Sequence, residues 1–96
     1  MPVTTAPKHL KTIGRVLFNS VTRDYDLQSH HIALLTLACE ARDRAEEARA
    51  AIAKDGAYVD GRYGLKAHPA IAVERDSRLA FGRLLRQLDL EDVPNG

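Results

Sequence analysis

From Ser29 to Lys54 the chain runs twenty-six residues without a glycine or a proline. Helix is the regular conformation that satisfies such a stretch locally, and at 1.5 Å per residue it is about 39 Å long. Gly56 is placed to end it. Its first half is greasy, with Ile32, Leu34, Leu35 and Leu37. Its second half carries a seam in which Leu34, Ala38, Ala41, Ala45, Ala48 and Ile52 are spaced four and three alternately. That is heptad spacing, with small residues where a coiled coil has large ones. Around the seam, Glu40–Arg44 and Arg42–Glu46 stand at i,i+4, each good for about 0.2–0.5 kcal/mol of local support. The seam suits either an intrachain core or close approach of a second copy. The helix is longer than either neighbouring helix can cover, so part of the seam, read as Ala38, Ala41, Ala45, Ala48 and Ile52, is expected to meet another subunit.

The flanking segments read as two more helices and a hairpin. From Lys8 to about Arg23, Leu10, Ile13, Leu17 and Val21 recur at helical spacing, with Lys8, Lys11, Arg15 and Asn19 opposite. Asp26 or Ser29 can cap the long helix that follows. Residues 57–67 change period: Tyr58-Val59, then Asp60-Gly61 as a turn, then Tyr63 to Lys66 predict a small β-hairpin. After His68, Pro69 suits the first position of a helix to about Leu88 that buries Val73, Ala80, Phe81, Leu84 and Leu88. The expected architecture is mainly α, with helices at about 8–23, 29–54 and 69–88, assembling into a homo-oligomer. It forms one domain over 1–96, with flexible ends at 1–7 and 91–96.

Composition supports assembly and narrows function. The chain has 96 residues and fourteen alanines, no Trp, and only five Phe and Tyr together. A monomer of this size buries about 60–65% of its unfolded surface, and alanine removes little of it from water. A lone Cys39 makes no intrachain disulfide and suits a reducing compartment. No apolar run follows Met1 and none approaches a membrane span, so a soluble, intracellular chain is expected. Gly61 to Lys66 lacks the spacing and hydroxyl of a phosphate loop, and neither H-E-x-x-H nor C-x-x-C occurs. His30 and His31 are helical neighbours about 100° apart and do not share a metal. Cys39 reads as a buried structural thiol. No catalytic residue, metal site or cofactor is expected.

Charge is more telling in its distribution than in its sum of +1. Residues 1–23 carry Lys8, Lys11, Arg15 and Arg23 and no acid. Such a face suits phosphate contacts, which need positive charge and donors but little sequence-specific geometry. The same face would also serve simply as a solvated surface. In the last helix Arg75, Arg78, Arg83 and Arg86 form a second stripe, but Glu74 and Asp76 stand beside it. Ion pairing is the stronger reading there.

In order, these pieces resemble a known family. Leu34-Leu35-Thr36-Leu37-Ala38-Cys39-Glu40-Ala41, followed by charged, alanine-rich helix, looks like the central helix of phage terminase small subunits. The run from Gly61 through Leu65-Lys66-Ala67-His68-Pro69 to Ile71 is similar to that family's hairpin and its His-Pro entry to a last helix. Val73 to Arg78 and Leu84 to Leu90 continue the likeness, which covers roughly Leu10 to Leu90. The chain departs from it at Leu27-Gln28-Ser29, where many relatives have Leu-Thr-Pro, and in stopping soon after the last helix, where relatives often carry a longer tail.

The resemblance implies a non-catalytic subunit that forms ring-like homo-oligomers in the cytoplasm of the bacterial host. It implies binding of double-stranded viral DNA at packaging initiation, and recruitment or regulation of the large subunit, which holds ATPase and nuclease. On that reading Lys8, Lys11, Arg15 and Arg23 bind DNA. Two rivals stand beside it. One is a helix-turn-helix transcriptional regulator, which the length and acidity of the central helix argue against. The other is a helical protein-interaction adaptor without DNA binding.

Overall fold

The computed structural model describes residues 4–90. In chain order it contains α1 (Thr12–Asp24), α2 (Ser29–Asp55), the strands β1 (Tyr58–Gly61) and β2 (Gly64–Ala67), and α3 (Ala70–Leu88). This is the expected mainly helical architecture with a two-stranded antiparallel hairpin. The expected flexible ends at 1–3 and 91–96 lie outside the described residues. Between Thr4 and Pro7 the arm is not loose throughout: Ala6 packs against the core.

α2 is the spine, and both other helices pack along it. The main core lies towards its first half, where Phe18, Val21, Leu35, Cys39 and Leu88 gather with Leu10. Leu17, Ile32, Leu34 and Leu85 close around them. Leu88 from the end of α3 meets Leu35 from the start of α2, so the two helices run antiparallel. Further along, Arg49 reaches Glu74 at 3.3 Å. Ala38, Ala41, Ala45 and Ala48 are buried in the single chain, while Ile52 is half-buried. The small seam thus belongs to the chain's own core. The antiparallel α3, joined through the hairpin, packs along the part of α2 that α1 leaves bare.

The first helix starts four residues later than its periodicity predicts, and the reason is tertiary. Asp43, a buried carboxylate in mid-α2, accepts the Lys11 backbone N–H at 2.7 Å and the Gly14 N–H at 2.6 Å. It supplies the cap that Lys11's own side chain does not make. A helix running back to Lys8 would commit the Lys11 and Gly14 N–H groups to its own ladder. Instead, residues ahead of the cap fold into a turn closed by Leu10 N–H on the Pro7 carbonyl at 3.2 Å. The buried face of α1 becomes Gly14, Phe18 and Val21, and Ile13, expected inside, is 38% exposed. A Cβ at Gly14 would lie 2.4–2.8 Å from the Asp43 carboxylate, which explains a residue that otherwise weakens a helix interior by about 1 kcal/mol.

At the far end, the hairpin turn falls two residues later than expected. Asp60 pairs with Leu65 and Gly61 with Gly64, leaving Arg62-Tyr63 as the loop. Gly64 has φ +117, and a Cβ on Gly61 would meet the Gly64 carbonyl at 2.9 Å. Two glycines across the last rung let the strands turn there. Entry to α3 depends on His68 more than on Pro69, which sits at the cap position. The Ala70 N–H donates to His68 Nδ1 at 2.9 Å, so Nε2 carries the proton toward Asp55 Oδ2, also at 2.9 Å. His68 N–H closes on the Ala57 carbonyl at 2.8 Å. One residue therefore ties the end of α2, the base of the hairpin and the start of α3. Val73, expected inside α3, is exposed, and buried Ser77 lies on the inner face instead.

Asp43→Ala leaves two backbone donors without their acceptor and is expected to lower stability by about 2 kcal/mol in urea unfolding. Gly14→Ala alone is destabilising through the clash with the carboxylate. In the Asp43→Ala background the same change becomes neutral or stabilising, because only helix propensity remains. Additive effects in this double-mutant cycle would contradict the cap.

Candidate nucleic-acid interface

The cations foreseen near the N-terminus divide into a cluster and an outlier. Arg15, on the first turn of α1, donates through Nη2 to the carbonyls of Leu10 at 2.9 Å and Lys8 at 3.3 Å. Buried Leu10 anchors this segment from below. Lys8, Lys11 and Arg15 are thereby drawn together at the start of α1, all exposed. Lys8 and Lys11 belong to the turn and the cap position, not to a helical face. Arg23 stands apart, twelve residues beyond Lys11 along α1, about 18 Å at helical rise. It pairs with Asp24 at 3.0 Å.

Two neighbours were not foreseen. His9 Nε2 lies 2.6 Å from Glu40 Oε2, taking the carboxylate expected to pair with Arg44. Arg44 has no carboxylate within ion-pair distance among the described residues, and it lines the same cleft as His9 and Lys11. Local spacing favours the Glu40–Arg44 pair, and only the tertiary approach of His9 redirects it. The other expected pair forms: Arg42 reaches Glu46 at 2.6 Å, with Arg49 on the same oxygen at 2.9 Å. The Arg42 hydrogen bond, chiefly, holds Glu46 below the usual carboxylate value.

The stripe on α3 is partly consumed as expected. Arg75 pairs with Asp76 at 3.2 Å and Arg78 with Glu74 at 3.3 Å. Arg83 and Arg86 are exposed and carry no ion pair among the described residues. His30 and His31 lean together, with ring centroids 4.0 Å apart despite their angular offset. Among the described residues no three His, Cys, Asp or Glu side chains converge as a metal site, and no helix is long and apolar enough to cross a membrane.

The arrangement offers exposed positive charge at one end of α1. A family model described as phage terminase, small subunit, matches residues 14–93, from the first turn of α1 through α3. The chain belongs to the phage terminase small-subunit family. No curated protein and no solved structure matches it. The matched span contains Arg15, Arg23 and Arg44 and begins after Lys8 and Lys11. The cation cluster of this terminase subunit thus straddles the edge of the family region, while α1 from Gly14 onward, the seam and the hairpin lie inside it.

Cys39 is fully buried in the same core. Burial, then the nearby Asp43 and Glu40 carboxylates, push its thiol from 9.0 up to about 12. The unfolded chain therefore releases this proton first as pH rises. The thiol's contribution to stability is complete below about pH 9 and is lost between pH 9 and 12. Urea titrations of wild type and Cys39→Ala over this range should show the wild type losing stability relative to the variant. Parallel pH profiles would contradict this placement of the thiol.

Proposed function

We propose that this chain is the non-catalytic, DNA-presenting subunit of a phage packaging terminase, working as a homo-oligomer in the cytoplasm of the bacterial host. It binds double-stranded viral DNA at packaging initiation and delivers it to the large subunit, whose ATPase and nuclease it recruits or regulates. Family membership supports the setting. The observation that carries the DNA contact is the exposed Lys8–Lys11–Arg15 cluster, with Arg44 close by along the cleft. None of these four has a carboxylate within ion-pair distance among the described residues, so their charge is available to phosphates. Arg23, engaged by Asp24, contributes less. Each subunit supplies a few weak, sequence-tolerant contacts, and repetition around an oligomer gives the avidity one copy lacks.

Lys8→Glu with Lys11→Glu is the cleanest test, because neither side chain supports the fold, whereas Arg15 holds the turn. The double variant should keep its helicity and bind duplex DNA much more weakly. Its log–log salt slope should flatten by roughly 1.8 per bound subunit, at about 0.9 for each lost phosphate contact. Arg23→Glu should change the slope little. Unchanged binding by Lys8→Glu/Lys11→Glu would move the interface elsewhere, and a wild type that binds no duplex below physiological salt would favour the adaptor.

Self-association is tested separately. Light scattering after size exclusion should report a homo-oligomer larger than a dimer, against which a monomer at all concentrations would decide.

A further inference from the structure

The hairpin exposes more large apolar surface than a freely solvated element should. Tyr63 is 93% exposed, Leu65 75% and Tyr58 67%. Strand pairing sets Asp60 opposite Leu65 and Tyr58 opposite Ala67, so Tyr58 and Leu65 share one face of the ribbon, with Tyr63 at its tip. An isolated two-stranded ribbon is marginal in water. This one is held at its base, where His68 joins Ala57, Asp55 and Ala70, so its direction is fixed before any partner arrives. The Arg62 guanidinium lies over the Tyr63 ring, 5.6 Å from its centre, and puts a cation at the tip.

We infer that this hairpin is an assembly arm, and that it docks on a second copy of the chain in the groove between the start of α1 and the middle of α2. This rests on the self-association proposed above and names its surface. The groove is about 400 Å³, with Ile13 and Ala50 as apolar lining and Lys11, Thr12, Glu46 and Glu47 around them. Asp43 closes one side. Three carboxylates against one lysine make it acidic, and the cation that meets it is Arg62 at the hairpin tip, since Lys66 lies on the face opposite Tyr58, Asp60 and Leu65. Glu46 is already held by Arg42 and Arg49, and Asp43 by the α1 backbone. Glu47 is the carboxylate left without an ion pair among the described residues, and it is the partner for Arg62.

The competing hollow beside Phe81 and Ala45 is lined by Arg42, Arg49 and Arg78, whose partners Glu46 and Glu74 are already engaged, so its lining holds no carboxylate for the tip. Hairpin into groove is a heterologous contact, since each copy gives one surface and receives on another. Such contacts repeat, closing into a ring where the rotation allows.

The full-length chain tests this by light scattering across a dilution series. Tyr63→Ser with Leu65→Ser should keep the wild-type circular dichroism and urea midpoint, since both side chains are solvent-facing. It should raise the concentration of half-dissociation roughly a hundredfold or more. Arg62→Glu and Glu47→Lys should each raise it roughly tenfold, and their combination should recover most of the loss. An unchanged oligomer in Tyr63→Ser/Leu65→Ser overturns the hairpin assignment while leaving self-association intact. If the charge swap fails to recover, the groove is not the acceptor. If the serine variant assembles normally but loses DNA, the arm is a nucleic-acid contact. A wild type that stays monomeric overturns self-association and this inference together.

Discussion

Asp43 is a carboxylate in the middle of a helix, where its own backbone needs nothing from it, and it is buried. Its two oxygens instead take the Lys11 and Gly14 N–H groups, at the positive end of α1. Removing a charge from water is costly unless hydrogen bonds answer it. Here the answer comes from donors that a helix start always leaves without partners. The interaction sets where α1 begins, which face it buries, and why position 14 is glycine. It also leaves Lys8 to Lys11 outside the helix, free to turn back under Arg15. The cation cluster proposed to meet DNA is a consequence of that cap.

The same economy of local parts shapes the other end. α2 is long enough to hold α1 against its first half while α3 lies along it in the antiparallel sense. Alanines at the seam let α3 approach closely, so the core is thin but continuous. What remains unpartnered is the hairpin beyond the seam, clamped by His68 and carrying the most exposed large hydrophobic side chains of the described residues. In this account the DNA contact and the donating arm of the self-contact stand at different ends of one spine, while the acceptor groove borders the basic cluster at Lys11.

Much of this was legible in the residues. The glycine- and proline-free run, the change of period after Gly56 and the His-Pro step placed the elements within a few positions. The family likeness from Leu10 to Leu90 agrees closely with the matched span 14–93. What sequence could not carry were facts made by contacts distant along the chain. No local pattern says that a mid-helix aspartate caps another helix 29 residues earlier, so the start of α1 and the exposure of Ile13 were misjudged. His9 taking Glu40 from Arg44 is the same kind of event. The hairpin turn slipped by two residues because Asp-Gly is the stronger local signal, whereas Gly61 is needed across from Gly64 instead. The seam's spacing was legible and its packing against α3 was not, since a heptad of alanines looks alike whether it faces α3 or another copy.

Amide hydrogen exchange in the folded chain tests the cap most directly. The first N–H groups of a helix ordinarily exchange fast, having no acceptor within the helix. If Asp43 holds the start of α1, the Lys11 and Gly14 amides exchange as slowly as those of Cys39 and Ala41 in the core of α2. Exchange of the Gly14 amide at the rate of a frayed helix end would contradict the account, and with it the reason the basic cluster sits where it does.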